Sequence, residues 1–151
     1  MTIQRILVPT DFSQPADAAL IYAKELAEKF DARLQLLHVV ALPTFYPMGP
    51  EAAAFPMAEL LTEAQAAAQR TLEEQARGTG LPADRVIVRT RVGMPVSEIL
   101  DAIAYDGIDL VVMGTHGRRG LPRALLGSVA EKIVRLSPIP VLTVSAGGQG
   151  E

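Results

Sequence analysis

Cysteine is absent from this chain of 151 residues, which excludes disulfides, thiolate catalysis and cysteine-ligated zinc together. Redox chemistry would need a borrowed cofactor. No apolar stretch approaches the roughly 18 residues needed to span a bilayer, and the short apolar run after Met1 lacks the hydrophobic region of a signal peptide. The expected location is the cytoplasm. Basic charge is not in surplus: 14 Lys and Arg stand against 17 Asp and Glu, a net charge of -3. That balance argues against a general binder of nucleic acid or of a membrane surface, so any affinity for phosphate must be local. Histidine occurs twice, at His38 and His116, with no acidic residue at ligand spacing on one helix face, so no metal site is expected. Neither G-x-x-x-x-G-K-[ST] nor a G-x-G-x-x-G after the first strand is present. A Ser-Gly-Gly-x-Asp-Ser loop is missing too, because Pro9-Thr10-Asp11-Phe12-Ser13 occupies its place. No internal repeat is visible.

What is present is apolar: 49% of the residues are hydrophobic, enough for one well-packed domain with some apolar surface left for an oligomer. Five runs rich in Leu and β-branched residues read as buried strands, at 3–8, 33–40, 85–92, 108–113 and 139–144. Between them, apolar residues at helical spacing predict helices over 16–30, 57–77, 96–105 and 128–136. In the second of these, Leu60, Leu61, Ala64, Ala68 and Leu72 form the expected core stripe, with Glu63, Arg70, Glu73 and Glu74 on the solvated face. Alternating strands and helices, with strands apolar throughout, predict an α/β fold: an open parallel sheet with helices on both faces. Ser13 and Pro15 suit a helix start, Gly78 and Gly80 a helix end, Pro95 the opening of the third helix and Pro138 a stop after the fourth. Residues 41–56, with Pro43, Pro47, Gly49, Pro50 and Pro56, have the composition of a long loop or lid. One domain is expected over 1–145, with a frayed Gly-rich tail over 146–151.

In such sheets ligands bind beyond the carboxyl ends of the strands, where the strand order reverses. Two loops stand out there: Pro9 to Ser13 after the first strand, and Gly114 to Ser128 after the fourth. If those strands are neighbours, both loops line one crevice. Gly114, Gly117, Gly120 and Gly127 let backbone approach an anion, Arg118, Arg119 and Arg123 concentrate positive charge, and Ser128 opens a helix with outward amides. An alternative stays open: Ser128-Val129-Ala130-Glu131 is also a capping box, and the glycines could serve only turns. Asp11 could likewise cap the first helix with Ser13. His116 in a polar loop and His38 inside an apolar strand have the plain readings of a solvated and a core histidine.

Gly114, two residues, Gly117, nine residues, Gly127-Ser128 resembles the nucleotide-binding signature of the universal stress proteins of the ATP-binding branch. The resemblance runs nearly the whole chain. Ile6-Leu7-Val8-Pro9-Thr10-Asp11-Phe12-Ser13 is similar to the family's first strand and loop, Leu36-Leu37-His38-Val39 to its second strand, and Gly93-Met94-Pro95 to the turn into its third helix. Gly127 to Lys132 and Pro138-Ile139-Pro140-Val141-Leu142 resemble its last helix and strand. The resemblance implies a Rossmann-like five-stranded sheet of order 3-2-1-4-5 with ATP across the switch point. It implies Asp11 as the adenine contact, Val39 as a backbone contact to the base, and Gly114 beside the ribose. Gly117, Gly127, Ser128 and Val129 would meet the phosphates, with Pro9, Thr10, Met113, His116 and Arg118 completing the set. A Mg²⁺ ion would arrive with ATP, held mainly by phosphates and water.

The function expected is therefore an ATP-binding stress-response or signalling module acting as a nucleotide-dependent switch on a protein partner. A slow Mg-dependent ATPase or phosphoryl-transferase is the alternative, and a structural protein without ligand a third class. Phosphoryl transfer is helped by a residue that orients the nucleophile, for which Asp11 and His116 are the candidates. The last strand, 139–144, would be an almost uncharged sheet edge, and members of the family commonly dimerise through it. A two-fold homodimer paired along that strand is expected.

Overall fold

In a computed structural model, which describes residues 1–43, 48–116 and 125–147, the strands are β1 (Arg5–Pro9), β2 (Arg33–Ala41), β3 (Val86–Gly93), β4 (Leu110–Gly114) and β5 (Val141–Val144). The helices are α1 (Gln14–Phe30), α2 (Met57–Gly78), α3 (Pro95–Tyr105) and α4 (Ser128–Leu136). All strands pair in parallel in the order β3-β2-β1-β4-β5, the order expected. In register, Ile6 stands beside Leu34 on one side and Leu110 on the other, and Leu7 beside Gln35 and Val111.

The three central strands β1, β2 and β4 bury both faces, which is why they read as apolar runs rather than as alternating ones, whereas β3 and β5 at the margins are largely half-buried. On one face Ile6, Val8, Leu34, Leu36, Leu110 and Val112 pack with Ala19, Ala23 and Ala27 of α1 and Leu72 of α2. On the other, Leu7, Leu37, Val111 and Met113 pack with Ile99, Ala102 and Ile103 of α3 and Ala130 and Ile133 of α4. The buried stripe of α1 is alanine alone (Ala16, Ala19, Ala23, Ala27), so this helix can lie close to the sheet. Ser13 caps it, its hydroxyl accepting from the Ala16 amide at 3.4 Å, with Pro15 in the first turn.

Two local expectations are revised. The fourth helix is capped by Gly127, not by Ser128 as the capping-box pattern suggests; Ser128 is already the first helical residue. Within 41–56, Ala41 still belongs to β2 and Pro50–Ala54 form a 3-10 turn, while residues 44–47 lie outside the described residues.

Candidate functional site at the switch between β1 and β4

The chain leaves β1 for a helix on one face of the sheet and leaves β4 for a helix on the other, so a crevice opens between the two exits. A cavity of about 690 Å³ occupies it, within the ordinary size of a small-molecule site.

The loop after β1 is held tightly. The Thr10 amide donates to the Leu37 carbonyl at 2.8 Å, the Phe12 amide to Thr10 Oγ1 at 3.0 Å, and the Ser13 amide to Asp11 Oδ1 at 3.0 Å. The last is an Asx turn, and it ties the Asp11 carboxylate to the residue that caps α1. Phe12 sits in the left-handed region at φ 64°, a conformation that costs a non-glycine residue on the order of 1–3 kcal/mol. Two contacts offset it. The Phe12 ring stacks on the His38 imidazole with centroids 4.5 Å apart and planes 22° apart. His38 Nδ1 lies 2.8 Å from the Thr10 carbonyl oxygen; because a carbonyl only accepts, that nitrogen carries the proton.

On the other side the Gly127 amide donates to the Thr115 carbonyl at 2.7 Å and the Thr115 amide to the Val144 carbonyl at 2.9 Å. These bonds fix the start of α4 against the ends of β4 and β5. The first amides of a helix have no intrahelical partner, and here they belong to Ser128, Val129 and Ala130, all of which line the cavity. His116 Nδ1 is 3.0 Å from Thr115 Oγ1, while its Nε2 is buried and has no hydrogen-bond partner among the described residues. A buried polar atom of that kind calls for a ligand or ordered water.

Gly114 lines the cavity and also meets a packing need. A Cβ there would lie 2.8 Å from the Pro15 carbonyl carbon and 3.0 Å from the Ala16 nitrogen, so a hydrogen alone fits between the end of β4 and the first turn of α1. The third wall is α2, with Ala64, Ala67, Ala68 and Thr71 facing the cavity. Of the core stripe expected on α2, Ala68 and Leu72 are buried, but Leu60 is 47% exposed and Ala64 is exposed as well. Ala64 and Ala67 border the cavity rather than the core.

Pro9, Thr10, Asp11, Val39, Met113, Gly114, His116, Gly127, Ser128 and Val129 all line this one cavity. Gly117 and Arg118, the other two expected site residues, lie outside the described residues. The sequence reading left out the α2 wall, the Phe12–His38 stack, and Pro95 and Ile99 of α3. Register could have pointed to His38: in the neighbouring strand Leu37 pairs with Pro9, so the next residue must stand beside the loop after β1.

An open parallel sheet of order 3-2-1-4-5 with its crevice at the β1/β4 exits defines the doubly wound, Rossmann-like class. Within that class the chain belongs to the universal stress protein family, whose profile matches residues 2–145. It is 33% identical over 141 residues to Universal stress protein MJ0531 of Methanocaldococcus jannaschii, covering 93% of this chain and 81% of that one. The solved structure of protein MJ0577 superposes with a TM-score of 0.84 at 29% identity, covering 99% of this chain and 100% of that chain. Universal stress protein UspA from Lactobacillus plantarum superposes with a TM-score of 0.81 at 27% identity, covering 95% and 99%. Two less similar structures share the fold: a universal stress protein in complex with cAMP (24% identity, TM-score 0.65) and one from Arabidopsis thaliana with AMP bound (18%, 0.64).

Proposed function

We propose that the chain is a cytoplasmic ATP-binding switch of the ATP-binding branch, a module whose bound nucleotide orders the crevice loops and biases a surface read by a protein partner. The carrying observation is the convergence of Asp11 and Val39 from one side, and Gly127, Ser128 and Val129 from the other, on one cavity at the amino end of α4. Helix amides with their partial positive charge suit phosphate, and the apolar wall of α2 suits a flat base. Gly117 and Arg118 belong to the proposed phosphate side, and Mg²⁺ would enter with the nucleotide. That two proteins of the same fold hold adenine nucleotides supports the reading. Mass spectrometry of the small molecules released from freshly purified protein tests it: ATP or ADP in near-stoichiometric amount is expected, and protein free of nucleotide that also fails to take up added ATP would reject it.

One observation favours the second reading, slow hydrolysis: the unpartnered Nε2 of His116 in the cavity wall is a group that could orient a water. A Mg²⁺-dependent turnover assay separates the two. A rate approaching the typical enzyme value of about 10 per second would displace the switch reading.

A further inference from the structure

His38 is buried on one side among strand residues and borders the cavity on the other, and it does two things there at once. Its Nδ1–H donates to the carbonyl of Thr10, and its ring lies flat against Phe12, the residue held at φ 64°. Thr10 and Phe12 are the two chain neighbours of Asp11. The Thr10 hydroxyl also takes the Phe12 amide, and Asp11 Oδ1 takes the amide of Ser13. A left-handed phenylalanine persists where its surroundings over-determine it, and such strained positions cluster at ligand sites.

We propose that His38 is a positioning residue for ligand binding: through its hydrogen bond to Thr10 and its stack on Phe12 it holds the loop in the conformation that presents Asp11 to the nucleotide. The role follows from the reading of the cavity as a nucleotide site, and it makes the strain at Phe12 part of the binding apparatus. The proton on Nδ1 also fixes the tautomer of neutral His38, leaving Nε2 as an acceptor.

The two contacts can be removed separately. His38→Phe keeps a ring to stack on Phe12 and loses the donor, whereas His38→Asn keeps a short-range N–H donor and loses the ring. Calorimetric titration with ATP is compared for wild type, both variants, Asp11→Ala, and the double variant Asp11→Ala/His38→Phe, alongside amide exchange of the ligand-free proteins. His38→Phe is expected to weaken ATP about tenfold, with His38→Asn recovering most of the loss. In the Asp11→Ala background the same change should cost little, because a group acting through Asp11 has nothing left to position. Exchange of the Phe12 and Ser13 amides should quicken in His38→Phe while the strand amides of β1 and β4 stay protected. An equal loss of affinity in both backgrounds, or unchanged exchange at Phe12 and Ser13, overturns the proposal. Wild type that takes up no ATP overturns the nucleotide reading, and the exchange measurement then still decides whether His38 holds the loop.

Discussion

At the amino end of the sheet Asp106 takes the Gln35 amide at 2.7 Å and the Arg91 guanidinium at 3.1 Å, and its carbonyl takes Arg5. Asp109 there receives the amides of Gln4 and Arg5 at 2.8 and 2.9 Å. At the carboxyl end His116 and the first residues of α4, Ser128, Val129 and Ala130, line a cavity instead. At the amino end these bonds join β1, β2, β3, α3 and β4, with Gln35 Oε1 buried and unpaired among the described residues. The other end leaves the helix-start amides of α4 without a partner among the described residues. Buried polar groups are normally satisfied, so the contrast separates a fastening end from a receiving end. Stability and binding should then respond to different residues.

The largest effect is expected at the receiving end. Ser128→Asp or Gly127→Asp would set a carboxylate where the anion is proposed to sit, and like charges in contact cost several kcal/mol. ATP affinity should fall about a hundredfold or more while the thermal transition stays in place; calorimetry showing unchanged affinity in both variants would remove the phosphate assignment. Asp106→Ala acts at the fastening end. It strips a partner from Gln35, which is fully buried, and an unsatisfied buried group costs about 1–3 kcal/mol. Urea denaturation should show that loss with ATP affinity within about threefold of wild type; a large drop in affinity would mean that the two ends are not separable.

The smallest effect on either property should come from the sheet edge. Strand β5 is bonded to β4 and forms one margin of the sheet, with Leu142 39% exposed, and we propose that it pairs with a second copy. Val141→Lys with Thr143→Lys would place like charges across the two-fold axis. Light scattering should find a dimer in the wild type and a monomer in the variant, with ATP binding retained. A monomeric wild type at micromolar concentration, or a dimeric variant, would count against the interface.

The fold was legible because strands buried on both faces leave a strong sequence mark, and because Ser13, Pro15, Pro95 and Pro138 mark helix limits by backbone chemistry that acts locally. The cavity lining was legible where it is made of loop and helix start, at Pro9 to Asp11, Gly114 and Gly127 to Val129, which stand in consecutive residues after the strands; Gly117 and Gly120 of the glycine spacing lie outside the described residues. The lining was obscure where it is made of surfaces. Ala64 on α2 has the spacing of a core residue because an apolar cavity wall and a core face impose the same pattern. Phe12 in a left-handed conformation goes against its own preference, and the ring it stacks on, His38, is 26 residues away in the chain. Of the two readings open at Ser128, the helix start holds and the capping box does not, because Gly127, tied to Thr115, takes the cap position first. The clamp of Gln35 and Asp106 joins residues 71 apart and leaves no local trace.

Gly114 gives the receiving end a mechanical character. With room for a single hydrogen between the tip of β4 and the Pro15–Ala16 backbone, there is no compressible side chain to absorb a displacement at that joint. Any displacement of the strand tip would meet the first turn of α1 directly, and the Ser13 and Asp11 bonds tie that turn to the opposite lip of the crevice. The two lips are thus joined through backbone and hydrogen bonds, whereas the α2 wall meets the cavity with the short side chains of Ala64, Ala67 and Thr71.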